Sequence, residues 1–399
     1  MKFKTPPLNV HFQKIIVWFQ VTQKVVFNTL KRTTTTPHAE IMSKNSEINT
    51  SQETNDEKIE KVELSQHEMT TKNSKKIKKT NQPDIFKAYE KSLMLNNSNF
   101  IFKNIKLTRS DRVDFFGVDP TRVFVPLYTQ RIAENCFDHQ NFLKEITLPN
   151  TLTSLGKKCF TKCVSLTLIT LPCSLKTLGK YCFKNCIKIT SLDIPNFIQE
   201  LPKFCFSKCF SLRHLKISEN IKIVGESCFE NSTAFSSFNF PSKLEFLGKN
   251  CFFNCRSVKQ LSLPESLLFI GKGCFESCSS LCEISIKGNI KELPEKCFAD
   301  CYSLSKVELQ EGLKVIGNFC FLRCGSLKSI KIPFGVSSLG NLCFGECGTL
   351  CQVDVPKGVK YIGEGCFSSC PSLLEIKIPK TAKLKKEKCF NENVVITLF

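Results

Sequence analysis

The sequence predicts an α/β solenoid of about 12 stacked coils, and three observations predict it. A Cys-Phe pair recurs at Cys136, Cys159, Cys182, Cys205, Cys228, Cys251, Cys274, Cys297, Cys320, Cys343, Cys366 and Cys389, at an interval of 23 residues every time. Each pair leads into a short stretch of alternating apolar residues that often ends at proline, as in Ile169, Leu171 and Pro172. The composition is skewed to match, with 35 Phe and 24 Cys against one Trp and five Tyr. A fixed period of about 20 to 29 residues marks units too small to fold alone, which bury their apolar edges by stacking.

Upstream of the repeats the chain changes character twice. Residues 1–32 form a short apolar and basic segment whose runs, Ile15 to Val21 and Val25 to Leu30, are interrupted by Gln20, Gln23 and Lys24. Neither run approaches the roughly 20 apolar residues of a transmembrane helix, and neither ends in the small-residue cleavage site of a secretory signal. Weak membrane-surface association through residues 14–32 is one expectation, as an interfacial helix with Trp18, Phe19 and Phe27 in lipid and Lys14, Lys24, Lys31 and Arg32 on headgroups. An element that packs against the body or stays loosely ordered is the other. Residues 33–83 are polar and read as a disordered linker, because they cannot bury enough apolar surface to offset the entropy of ordering. Lys72, Lys75, Lys76, Lys78 and Lys79 form a basic run inside it. Residues 84–121 regain apolar character at Phe100, Phe102, Ile105 and Leu107 and are expected to form an N-terminal cap with a short strand pair. The repeats occupy residues 122–399, since Val123 to Val125 before Pro126 already reads as a repeat strand.

Each coil yields the same expectation. Leu155, Cys159, Cys163 and Leu166 follow one another at spacings of four, four and three, which places them on one face of a short helix flanked by Phe160. Ile169 and Leu171 alternate with polar neighbours as a short strand, stopped at Pro172 by the missing backbone donor. Leu175 and Leu178 add two further inward residues. The slot three residues before each pair holds Gly at 156, 179, 225, 248, 271, 317, 340 and 363, and Pro at 202 and 294. Proline fixes φ near −65°, so the slot needs no positive φ. It is expected to open the helix where a side chain would crowd the neighbouring coil.

The second cysteine of each coil lies four residues after the first, at 163, 186, 209, 255, 278, 301, 324, 347 and 370, with Ser232 once in its place. Structural zinc asks for four converging ligands, commonly from CxxC or HxxxH pairs, and neither spacing occurs here. Stacked equivalent cysteines offer no unique disulfide partner. Both columns are therefore read as core filler, free thiols behaving as small hydrophobes. No metal and no cofactor is expected.

The motif CFxxCxSLxxIxIP, as in Cys366, Phe367, Cys370, Ser372, Leu373, Ile376, Ile378 and Pro379, resembles the BspA-like leucine-rich repeats. The resemblance covers residues 122–399, about two-thirds of the chain. It implies a right-handed leucine-rich-repeat solenoid with one parallel strand per coil, and a role in adhesion or protein interaction. That family occurs in bacterial surface proteins and in parasitic protists. Nothing in it bears on residues 1–121. Localisation stays open between the cytoplasm, from the missing secretory signal, and the cell surface, from the resemblance.

The strands leave one set of side chains facing outward. The candidate partner-binding residues are Glu145 and Thr147, Ser191 and Asp193, His214 and Lys216, Gln260, Glu283, Lys306 and Glu308, Lys331, Gln352 and Asp354, and Glu375 and Lys377. Parallel coils should align them into one broad concave surface of the kind repeat proteins use for recognition. The formal charge is +20, of which the first hundred residues, with 16 Lys/Arg against 10 Asp/Glu, carry less than a third. The outward set mixes both signs, which is wrong for tracking phosphates. The lysine excess surrounds the expected helices on the convex face, at Lys157, Lys158, Lys162, Lys180, Lys184, Lys203, Lys208, Lys249 and Lys272. A protein, or a glycan or extracellular-matrix partner, is therefore favoured on the strand face. The alternative is a nucleic-acid-associated protein using the basic linker and these lysines. His139 and His214 are the histidines of the repeats, and neither accompanies a nucleophile and acid in catalytic arrangement, so no enzyme is expected.

Overall fold

The computed structural model describes residues 106–109, 119–127, 129–384 and 389–399, with the backbone of two further strands, Ile15–Val17 and Phe100–Phe102. The alternation in each coil produces a strand whose inward residues are buried and outward ones open, as in Gln260–Leu263. These strands stack in parallel with an offset of one repeat: Leu192 lies opposite Leu215, and Leu261, Ile284 and Val307 follow in register. A parallel-strand solenoid of about 12 turns results.

Two details differ from expectation. First, each coil carries two strands. The residues before the glycine slot form a second ladder of two-residue strands, from Lys106–Leu107 through Arg131–Ile132, Ser154–Leu155 and Thr177–Leu178. Two-residue strands leave too little alternation to be recognised in sequence. Second, the Cys-Phe segment is not a helix. Lys158 and Lys162 have φ of 55° and 59°, in the left-handed region, and equivalent residues repeat this in later coils. The N–H groups of Lys158, Phe160 and Lys162 donate to the carbonyls of Lys180, Cys182 and Lys184 at 2.9, 2.8 and 2.8 Å. Those of Cys159 and Cys163 close turns onto Gly156 and Phe160. Alternate donors thus point along the solenoid axis, and a third, turn-built wall is hydrogen-bonded between coils. A helix would keep all of these bonds within its own segment. The 4-4-3 spacing that suggested one is met equally by consecutive turns.

The core is the stack of inward side chains. Phe137, Phe160, Phe183, Phe206, Phe229, Phe252 and their successors to Phe367 are fully buried. They form one continuous row that ends at Phe390, with neighbouring centroids 5.1 to 5.7 Å apart. The glycine slot behaves as the coil spacing requires. A Cβ on Gly156 would sit 2.4 Å from the backbone nitrogen of Glu134, and one on Gly271 would sit 2.3 Å from that of Lys249.

The two cysteine columns divide their work. The first lies buried beside the phenylalanines, and the second donates its S–H across coils. Cys163 Sγ reaches the Phe137 carbonyl at 3.0 Å, Cys186 that of Phe160 at 3.0 Å, and Cys278 that of Phe252 at 3.2 Å. Ser232 makes the same bond to Phe206 at 2.7 Å, which explains how serine fits the column. The second cysteine is therefore a buried donor as well as filler. None of the 24 cysteines, all of them among the described residues, is in a disulfide. Burial pushes up the thiols of second-column cysteines such as Cys186, Cys255 and Cys209, the last to about 12.

At the N-terminal side, Phe100–Phe102 pairs with Ile15–Val17, while Lys106–Leu107 pairs with Arg131–Ile132 of the solenoid. The expected strand pair within residues 84–121 is thus replaced by two strands with separate partners. Ile15–Val17 is a strand where an interfacial helix was considered; the rest of residues 14–32 and the whole of the 33–83 linker lie outside the described residues. Among the described residues no helix is long and apolar enough to cross a membrane.

Candidate functional site

The longer strands put their outward side chains into register across coils. Thr147, Ser191, Asp193, His214, Lys216, Gln260, Lys306, Glu308, Lys331, Gln352, Asp354, Glu375 and Lys377 are exposed, and Glu145 and Glu283 are half-buried. Strand pairing sets Asp193 opposite Lys216, Glu283 opposite Lys306, and Asp354 between Lys331 and Lys377. Opposite charges directly across a strand pair support one another by about 0.2–1 kcal/mol. Arg122 and Glu145 form an ion pair at 3.2 Å, and Lys306 and Glu308 one at 3.1 Å. The mixed charge read from the sequence is thus largely self-compensating.

The face is not uniform. A depression of about 730 Å³ opens on it, lined among others by Gln260, Ser262, Glu283, Ser285, Lys306 and Glu308, and by Phe240, Glu265 and Lys287. Four candidate residues, Gln260, Glu283, Lys306 and Glu308, gather there. Glu145 and Thr147 lie toward one end of the array, Lys331 through Lys377 toward the other, and Ser191 through Lys216 across a break in the ladder.

That break has a local cause. In the coil after Cys228, the inward positions held elsewhere by Leu, Ile and Leu are Phe235, Phe238 and Phe240. Their rings pack edge-on against Phe229 and Phe252 at 5.0 to 5.6 Å, and against one another at 4.8 and 5.9 Å. The added bulk lifts this coil out of the regular ladder, leaving one bridge between Ser237 and Gln260. The sheet therefore restarts at Gln260–Leu263, and the depression forms beside the step. Ser237 and Asn239, from the outward pattern, and Phe240, from the inward one, also line this site and are not among the candidate residues read from the sequence. The run Phe235-Ser-Ser-Phe-Asn-Phe240 was the available signal.

The depression mixes apolar residues such as Phe240 and Leu261 with polar ones, and it holds both charges at neutral pH. A hydrogen bond from Lys306, then one from Ser285, lowers the Glu308 carboxyl, and the same pair raises the Lys306 ammonium. Hydroxyls and amides from Ser237, Asn239, Gln260, Ser262 and Ser285 surround this pair. Such a lining offers donors and acceptors to a polar chain beside the Phe240 ring.

A two-sheeted parallel solenoid with a turn wall and an open strand face defines a repeat protein. The model of the BspA-type leucine-rich repeat region, in six copies, matches residues 130–258, 222–350 and 291–398. The chain belongs to the BspA-type leucine-rich repeat family. No curated protein matches the sequence. Among solved structures, a leucine-rich repeat protein from Bacteroides ovatus is similar, with 24% identity and a TM-score of 0.52, covering 75% of this chain and 88% of that one. A leucine rich cell surface protein from Faecalibacterium prausnitzii has 22% identity and a TM-score of 0.43, covering 63% of this chain and 77% of its own. The first of these likenesses shows the shared fold.

Proposed function

We propose that this chain is a non-catalytic binding scaffold whose strand face recognises a protein, with the depression between Ser237 and Glu308 as its centre of specificity. One observation carries the reading. The depression opens on the wall where outward side chains from successive coils stand in register, and it collects Gln260, Glu283, Lys306 and Glu308. Registered rows of hydroxyl, amide and charged groups suit an extended polypeptide, whose backbone presents donors and acceptors along its length. A glycan or a matrix component would use the same groups.

The test is a partner captured by the wild-type chain. Ser262→Trp with Glu283→Arg fills and inverts the depression, and binding should fall at least about tenfold, the effect of losing one well-placed contact of roughly 1.4 kcal/mol. Removing residues 1–83 should leave binding intact. Undiminished binding by the double variant, or loss on truncation, would place recognition elsewhere.

A further inference from the structure

On the turn wall, four residues of each coil flank the Cys-Phe pair: those two and one before the cysteine, and those two and three after it. In the coils of Cys159, Cys182 and Cys205 these sites hold Lys157, Lys158 and Lys162, then Lys180 and Lys184, then Lys203 and Lys208, with no acidic residue. The neighbouring coils close the patch with Glu134 and Asp138 on one flank and Glu226 and Glu230 on the other. In the coils from Cys251 to Cys366 the same sites never exceed one net positive charge. Coils repeat at the spacing of adjacent strands, about 4.8 Å. That is well inside the Debye length of roughly 8 Å at physiological salt. The lysines therefore repel one another, and among the described residues Lys203 alone of the seven has an ion-pair partner, Glu226. Repulsion concentrated in three adjacent coils opposes folding, and only Lys184 and Lys203 of these side chains lie over a described aromatic ring.

The same coils carry a second peculiarity. Five residues after the cysteine they place Val164, Ile187 and Phe210, where the flanking coils have Asn141 and Thr233. Phe210 is 44% exposed, and in the preceding flanking coil Phe142, next to Asn141 rather than in this row, is 75% exposed. An apolar row bordered by lysines is the composition of a surface that rests in the membrane interface, with rings at the acyl boundary and ammonium groups on headgroups.

We propose that this wall of the second to fourth coils is a docking surface for an anionic phospholipid bilayer. Two features favour lipid over nucleic acid. Tyr181 and Phe204 stack on each other at 5.0 Å, and the Lys184 Nζ lies 4.7 Å from the Phe204 centroid, so their faces are occupied rather than open to bases. The patch also contains no arginine, the residue whose planar fork suits oriented phosphate recognition. Lysines on flexible stems match mobile headgroups, each contributing about a fivefold gain in partitioning near an anionic surface. This surface is separate from the strand face, so either reading stands or falls without the other.

The experiment is co-sedimentation of the full chain with phosphatidylcholine vesicles, with and without phosphatidylserine. Binding should require phosphatidylserine and weaken with salt. Lys157→Glu, Lys180→Glu and Lys184→Glu together should lower the partition coefficient at least about a hundredfold. The charge-matched set Lys314→Glu, Lys360→Glu and Lys380→Glu, exposed and away from both surfaces, should leave it near wild type. Phe210→Ser should weaken the binding that survives at high salt. Thermal melts by circular dichroism show which variants fold, and Lys157→Gln with Lys180→Gln replaces the triple variant if that one does not. Equal binding to neutral vesicles, undiminished binding by the lysine variants, or lysine-dependent binding of single-stranded RNA without binding of vesicles would each overturn the proposal.

Discussion

Phe275 sits between Phe252 and Phe298, with ring centroids 5.5 and 5.4 Å away, and has no exposed surface. Phe275→Ala would leave a void bounded by two rings that cannot close it, and should cost about 3–5 kcal/mol in urea unfolding. A loss under about 1 kcal/mol would mean that the row does not bear on stability. The buried thiols carry a pH dependence. Burial raises Cys209 from 9.0 to about 12 and Cys370 from 9.0 to about 11. The folded chain keeps protons that the unfolded chain releases above pH 9, so this contribution is complete below that pH. It is lost as pH rises through 11 and 12. Melting temperature should therefore fall steeply above about pH 9. A melting temperature unchanged on going from pH 8 to about pH 11 would show that these thiols are open to solvent.

At the level of the element, the glycine slot holds the coils at their spacing. The obstacle at Gly271 is the backbone of Lys249, which cannot swing aside as a side chain could. Gly271→Ala should cost about 1–3 kcal/mol by overpacking, even though alanine restricts the unfolded chain more than glycine does. Stabilisation in a thermal melt would mean that the coils are less closely set. Pro202 and Pro294 show that some coils accept a Cβ at this slot. The approach at the coil after each is looser, with Cβ distances of 2.7 Å at Gly225 and 2.8 Å at Gly317. The turn wall is an element of the same kind. Its left-handed residues, such as Lys158 and Lys162, are tolerated because each N–H is satisfied by the next coil.

For the whole molecule, stability is a sum over coils and the interfaces between them. Excising residues 317–339 joins Ile316 to Gly340 and removes one complete 23-residue coil. Every wall then remains in register, so the shortened chain should still unfold in a single transition with a modest loss of stability. Removing residues 317–328 alone would put the inward set out of phase, and coils beyond that point should lose protection in hydrogen exchange. Equal damage from both deletions would show that the coil is not the unit of folding. Partner recognition on the strand face and lipid docking on the turn wall are compatible on one chain because the two walls are built from different positions of the same repeat.

By itself the sequence determined the period, the inward residues and the single phenylalanine row, because stacking identical units repeats each local choice at a fixed offset. It also determined the outward set, which includes Gln260, Glu283, Lys306 and Glu308. The tertiary structure alone decided the turn wall in place of helices, the second ladder, and the step at Phe235 to Phe240 that opens the depression. The physical reason is where the backbone partners lie. The N–H of Lys158 bonds a carbonyl 22 residues on, at Lys180. Neighbouring residues do not reveal a conformation that is satisfied only by the next coil.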